Sequence, residues 1–391
     1  MENLSWDRPR MKYRICFLCI NLFPEGGTAA RALGFAKALA KQGDQVWVAN
    51  CQTHEGLRSE NVFELKRNGI HFYSMSVSHR ILSQFARPLH RLLVLIKCLV
   101  WAKRLIDAND FHVVCCEPSI NIVGVVLDRI TRALVVADLH STASRGGPNS
   151  LIGHASKLLE KFVCVALDLI LVPTPELKEL YVSWGISSRK IHTIRNALEI
   201  ADFKPTKSRD DVRRELGIGE DETIAAFLGV LVTSYNVDSL LRLHEVSKLM
   251  TAVDKVRYLI IGGYDQKPVR DGKFIYTGYV YDLPAYLSAA DFAILPIFSN
   301  SLGIRSRCIQ YFAAGLPVVT TLSGITGMQF AEEAGVALVR ESVEDIALAS
   351  LELVRSPHRL RKMKDNCKRV MNEFDPRLIA RQLHDAFRRT A

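Results

Sequence analysis

Apolar residues recur along this chain in short unbroken runs, separated by longer amphipathic stretches and by turns rich in Gly, Pro, Asn and Asp. Such runs predict strands buried on both faces, and the stretches between them predict covering helices. Strands are expected at 13–21, 45–49, 70–74, 111–116, 133–139, 167–172 and 190–195, with a helix over 29–42 after the first. Polar text from Asn196 through Asp202, Pro205 and Lys207 to Asp211 then marks a boundary between domains. A second series follows, with strands at 223–228, 256–261, 274–277, 292–296, a run from Val318, and 336–339. Its helices are expected at 237–250, 283–289 and 343–354, and basic helices at 357–372 and 376–390 close the chain. Strand–helix alternation of this kind gives parallel sheets with right-handed crossovers.

The stretch 299–321 carries the strongest local pattern. Gly303 relaxes the backbone before a helix over 305–314, with Cys308, Ile309, Phe312 and Ala313 on one apolar face. Gly315 suits the left-handed stop and Pro317 follows it. Arg305 and Arg307 fall in the first turn, where basic side chains oppose the helix dipole unless an anion joins them. Two readings stand: a phosphate site, or a sheet-packing helix with solvated arginines.

Other candidates lie at the carboxyl ends of strands, where ligands collect on open parallel sheets. The first strand runs into Gly26, Gly27 and Thr28, with Arg31 one turn into the next helix. The pattern is not GxGxxG, so a dinucleotide fingerprint is absent; a sugar or phosphate loop and a plain tight turn both fit. Asp138 and His140 alternate at a strand end, with Ser141 after them. A neutral imidazole there exchanges protons or hydrogen-bonds a hydroxyl, unless it is a satisfied structural His. The stretch 79–106 alternates bases (Arg80, Arg87, Arg91, Lys97, Lys103, Arg104) with leucines, and Pro88 is expected to break or kink it. It reads as an interfacial helix on anionic lipid or as a helix covering the sheet.

Composition narrows the classes. The 391 residues are 48% hydrophobic and 24% charged, which is a folded chain of two or three domains. A net charge of +10 favours anionic partners, but no aromatic-interleaved basic pattern or zinc spacing points to nucleic acid. No signal peptide or membrane span is expected, since Lys97 interrupts the best apolar candidate at 92–102. Nine scattered cysteines suit a reducing cytoplasm. Cys16 and Cys19 form a CxxC inside a predicted strand, so they and Cys115 and Cys116 are expected to be core thiols.

Taken in order, these motifs resemble the GT-B glycosyltransferases, and look most like group 1 (family 4) of the retaining enzymes. The matching text is 24–31 with 43–48, 138–140, 172–175 with Ile194, Arg195 and Asn196, then 227–229, 261–263, Thr277 and Gly278 with 285–296, and 303–319. The resemblance implies an α/β chain of two doubly wound Rossmann-like domains facing a central cleft. Residues 1–198 would bind the acceptor and 199–375 the nucleotide sugar, with helix 376–391 crossing back onto the first domain. It implies a metal-independent transfer with retention, without a cofactor beyond the nucleotide-sugar co-substrate. His140, Asp138 and Arg307 would be catalytic. Gly26, Gly27, Gly229, Tyr279, Val280, Gly303, Ile304, Arg305, Arg307 and Gln310 would hold the donor, and Thr28, Arg31 and Ser141 would lie on the acceptor side. The acceptor would be a glycan, a lipid-linked sugar or another glycoconjugate in cell-surface polysaccharide synthesis. A cytoplasmic protein is expected, with 79–106 as its contact with the inner face of a membrane.

The sequence departs from that pattern in places that matter. Two glutamates eight positions apart are usual, and here those positions hold Leu302 and Gln310. A basic pair after the second domain's first strand is replaced by Val230 and Tyr235. Residues 303–307 do fit a G-I-R/K-x-R/K variant. A non-catalytic scaffold subunit and a nucleotide-sugar epimerase therefore stand as alternatives.

Overall fold

A computed structural model of the chain describes residues 12–19, 27–51, 59–75, 87–140, 151–229, 234–250, 255–263, 268–299 and 302–390. The chain divides into two compact units, Met1–Ala197 with Pro376–Ala391, and Leu198–Asp375.

The first unit runs β1 (Arg14–Cys19), α1 (Gly27–Lys41), β2 (Gln45–Asn50), α2 (Ser59–Arg67), β3 (Ile70–Ser74), α3 (Arg87–Asn109) and β4 (Val113–Cys116). It continues with α4 (Asn121–Ile130), β5 (Leu134–Asp138), α5 (Leu151–Ala166), β6 (Leu169–Val172), α6 (Pro175–Ser183) and β7 (Ile191–Thr193). Its strands pair in parallel in the order β3-β2-β1-β4-β5-β6-β7. Runs such as Val-Val-Cys-Cys in β4 and Leu-Ile-Leu-Val in β6 are buried throughout, as strands covered by helices on both faces must be. Strand order reverses between β1 and β4, which opens a crevice at their carboxyl ends.

The second unit repeats the plan with α7 (Arg209–Glu215), β8 (Thr223–Leu228), α8 (Ser234–Leu249), β9 (Val256–Ile261), β10 (Val269–Asp271) and β11 (Phe274–Gly278). Then come α9 (Leu283–Ser288), β12 (Phe292–Leu295), α10 (Ser306–Ala313), β13 (Val318–Thr320), α11 (Phe330–Glu333), β14 (Ala337–Val339), α12 (Val343–Arg355) and α13 (Pro357–Val370). The sheet order is β10-β11-β9-β8-β12-β13-β14, parallel except for the β10–β11 pair, and its reversal falls between β8 and β12. Both units are therefore doubly wound and Rossmann-like.

The last helix, α14 (Pro376–Thr390), belongs to the first unit and packs along α1. Ile379, Leu383 and Phe387 enter the first core. His384 Nε2 meets Asp44 Oδ2 at 2.7 Å and stacks on Tyr13, while the Tyr13 backbone N–H donates to Asp44 Oδ1 at 2.9 Å.

Three local details bear on the sequence expectations. α3 begins at Arg87, so Pro88 stands in its first turn, where a missing N–H costs nothing, and residues 79–86 of the stretch expected to break or kink there lie outside the described residues. The polar text at the boundary contains a helix, α7, because the Ser208 hydroxyl accepts the Asp211 N–H and Val212 is fully buried. The exposed β10 was not foreseen from its three residues, although Gly272, at φ +55° as the first residue of the two-residue loop Gly272-Lys273, is a hairpin turn signal. The cysteines Cys16, Cys19, Cys115 and Cys116 are free and buried, and burial pushes their thiols up, so they are inert core residues. Among the described residues no helix is long and apolar enough to cross a membrane.

Gly34 on α1 faces the backbone so closely that an added Cβ would lie 2.4 Å from the Ala197 carbonyl oxygen. Helix propensity favours alanine by about 1 kcal/mol, but forcing a methyl into rigid backbone costs about 1–3 kcal/mol or more. Gly34→Ala is therefore expected to lower the thermal unfolding midpoint, and a midpoint raised by the substitution would refute the close approach.

Candidate active site

In the first unit the site grows from a buried ion pair. Arg31, one turn into α1, is 1% exposed. Its Nε–H donates to both carboxylate oxygens of Asp138 at 2.9 and 3.0 Å. Its Nη1 donates to the Ile194 carbonyl at 2.8 Å and to Asn196 Oδ1 at 2.9 Å, both beyond β7. The guanidinium lies 4.4 Å from the Phe35 ring centroid, a cation–π contact from its own helix. One side chain thus ties α1, the end of β5 and the segment after β7 together.

Asp138 in turn meets His140, with Nε2 and Oδ2 2.9 Å apart. Burial alone would push the Asp138 carboxyl up, but Arg31 and His140 together outweigh it and hold it below its ordinary range. An ionised carboxylate only accepts hydrogen bonds, so the proton of this contact sits on His140 Nε2. In the neutral ring Nδ1 is then the lone-pair nitrogen. Among the described residues Nδ1 of His140 and Nη2 of Arg31 are buried without a hydrogen-bond partner. An imidazole oriented in this way can accept a hydrogen bond or a proton from a hydroxyl.

In the second unit the site lies where β8 and β12 part. β12 pairs with β8 only at Ala225 and Ala226, so Leu228 has no sheet partner on that side. α10 supplies the partners. The Tyr311 hydroxyl accepts the Leu228 N–H at 2.7 Å, and Arg307 Nη1 donates to the Leu228 carbonyl at 2.9 Å. Arg307 Nη2 also donates to Asn236 Oδ1 at 2.6 Å. The charge of Arg307 is fixed at the carboxyl edge beside the positive end of a helix that Arg305 begins without a side-chain cap. Arg305 Nε donates to the Ser323 carbonyl at 3.4 Å.

Glycines let this corner close. A Cβ on Gly229 would press Arg307, Asn236 and Phe227 at 3.2 Å each. Gly262 has φ +116°, and a Cβ there would sit 2.3 Å from the Gly229 carbonyl oxygen. The Gly262 N–H donates to Gly278 at 3.0 Å, so the ends of β8, β9 and β11 converge. Backbone amides, a fixed guanidinium and a helix N-terminus at a switch point form an arrangement suited to a phosphate group.

The sequence-predicted residues fall out unevenly. Asp138, His140 and Arg31 come together, but Arg31 is corrected from the acceptor side to the interior, because Asp138, Ile194 and Asn196 claim its guanidinium. Asp138, expected to be catalytic, is 5% exposed and meets His140. Arg307 and Gly229 meet; Gln310 is half-buried one turn after Arg307 on α10, and Gly303 and Ile304 lead into that helix. Arg305 is the N-cap residue and not part of the first turn. Tyr279 and Val280 follow β11, with Tyr279 exposed and edge-on to Tyr281 at 5.2 Å. Gly26, Ser141 and Val230 lie outside the described residues, and for Gly27, Thr28 and Tyr235 only the helical backbone is described. Sequence reasoning missed Asn196, Asn236 and Tyr311 as partners. Asn196, a polar residue just past a buried strand, carried a legible signal; the other two sit inside helices and gave none.

Comparison with known proteins finds similarity along both units. A family model described as Glycosyltransferase Family 4 matches residues 25–202, and one described as Glycosyl transferases group 1 matches residues 222–356. The chain belongs to the group 1 glycosyltransferases. Within that family it is similar to a D-inositol 3-phosphate glycosyltransferase of Rhodococcus erythropolis, 24% identical over 57% of this chain and 54% of the relative. It thus spans about half the length of the Rhodococcus relatives it matches. An uncharacterized glycosyltransferase of Methanocaldococcus jannaschii is 23% identical over 76% of this chain and 77% of its own. Among solved structures, HepE of Anabaena in complex with UDP and glucose has a TM-score of 0.73 at 13% identity, covering 95% of this chain and 98% of that one. The family's GT-B fold is therefore the fold of this chain.

Breaking the buried pair from one side leaves an uncompensated charge, so Arg31→Met is expected to cost about 3–5 kcal/mol at neutral pH in urea unfolding. Because the Asp138 carboxyl is held low, the pair contributes fully above the ordinary carboxylate range and loses its contribution as pH falls through the folded value. The gap between wild type and variant should narrow below about pH 4, and a gap constant with pH would refute the assignment.

Proposed function

We propose that the chain transfers a sugar from a nucleotide-sugar donor to a glycan or lipid-linked acceptor, with retention of anomeric configuration and without a metal. The observation that carries this reading is Arg307, fixed across the end of β8 beside the N-terminus of α10. A diphosphate bound there gains charge as the glycosidic bond breaks, and a guanidinium, a helix dipole and backbone amides already in place stabilise that charge. HepE of Anabaena was solved with UDP and glucose, a ligand of the chemical class proposed for this edge. In the first unit His140 Nδ1 accepts from a hydroxyl of the sugar or the acceptor, with Asp138 and Arg31 fixing the ring. The leaving phosphate helps deprotonate the acceptor.

Leu302, where the family resemblance leads one to expect a carboxylate, favours a second reading as a non-catalytic subunit. One experiment separates the two. The purified chain is incubated with UDP- and GDP-sugars, and nucleotide release is followed with and without EDTA. Release by the wild type, unchanged by EDTA and reduced about 10²–10⁴-fold in His140→Ala, is expected for a positioned general base or hydrogen-bonding group. Donors that raise the thermal midpoint without any release would favour the subunit reading instead.

A further inference from the structure

α5 is built the wrong way round for a sheet-covering helix. Its inward face carries Gly153, Glu160, Val163 and Cys164, and Glu160 is buried where the Tyr181 hydroxyl donates to it. Its outward face carries Leu158 at 69% exposure, Leu159, Phe162 at 51% and Val165. The lone acidic residue of the helix is thus spent inside, and the outward apolar stripe is flanked by exposed Lys157 and Lys161. A soluble chain gains nothing from a carboxyl buried and a stripe of leucine and phenylalanine shown to water.

The stripe has neighbours. α4 packs against both α3 and α5, and right-handed crossovers put these helices on the sheet face opposite α1. α3 exposes Leu93, Ile96 and Val100 beside Lys97, and α4 exposes Val126 and Ile130. Three adjacent helices therefore offer apolar side chains with basic ones among them. α5 runs antiparallel to β5, so its first turn lies at the same sheet edge as His140.

We propose that the α3–α4–α5 face of the first unit docks on an anionic lipid bilayer, which presents a lipid-linked acceptor to the edge that carries His140. The occupant follows from charge complementarity: exposed lysines beside inserted apolar side chains match the surface of an acidic membrane. The part concerning the acceptor rests on the transferase reading above; the docking does not.

The test is flotation of the full chain with phosphatidylcholine vesicles, plain or containing one part in four phosphatidylglycerol. Wild type should float with the anionic vesicles and stay behind with the neutral ones. Lys97→Gln and Lys161→Gln, on different helices, should each weaken binding about fivefold. Leu158→Ser with Phe162→Ser should abolish flotation while leaving the thermal midpoint unchanged, since both side chains are exposed. Wild type that fails to float, or lysine variants that float as well as wild type, would overturn the proposal. A dimer in light scattering that the double serine variant converts to monomer, without flotation, would assign the face to a second copy and overturn it too. Flotation without sugar transfer would sink the transferase reading alone, and transfer to a water-soluble acceptor without flotation would sink the docking alone.

Discussion

Parallel strands that part company leave backbone groups with nothing to bond, and a folded chain must satisfy them or lose the strand end. At the reversal between β8 and β12 the unmet groups are the N–H and C=O of Leu228. Tyr311 and Arg307 meet them, both from α10. The helix that seals the sheet is therefore the helix whose first turn brings positive charge to the carboxyl edge. Structural repair and anion recognition draw on the same side chains, so the corner is rigid before any ligand arrives.

The first unit solves a related problem with a charge. Arg31 collects the Ile194 carbonyl, the Asn196 amide and the Asp138 carboxylate around one buried guanidinium. A buried ion pair is weak support for stability in itself, since desolvation offsets much of the attraction. What it gives here is definition: the carboxylate stays ionised, the imidazole keeps one tautomer, and the lone-pair nitrogen is set without choice. Glycines do the complementary work in the second unit, where Gly229 and Gly262 let two strand ends approach within the space of a missing methyl.

Sequence alone carried the strand–helix alternation, because strands such as Leu-Ile-Leu-Val in β6 admit no other pattern of burial. It also carried the α10 corner, where Gly315 adopts φ +72° as a helix stop requires. It could not carry the direction in which a side chain turns. Arg31 read as an acceptor-side residue because nothing in a helical repeat announces that two distant strand ends will close over it. Tyr311 carried no signal in the sequence, although its hydroxyl holds a strand end 83 residues away. Contacts of that separation are products of topology, and a linear pattern records them only where a residue type is out of place. α5 is such a place: its leucines and its glutamate are legible, but their reversal of inside and outside appears only once β5 and β6 fix the helix.

The docking of α14 on α1 bears on how the chain matures. Ile379, Ala380, Leu383, Ala386 and Phe387 complete a core whose other members come from residues before 198. On the ribosome the first unit emerges early but waits for the entire second unit before its last wall arrives. Domains generally fold as units in the order of synthesis. Here the later-made unit is the first that can finish, while the α1 face stays open until His384 reaches Asp44.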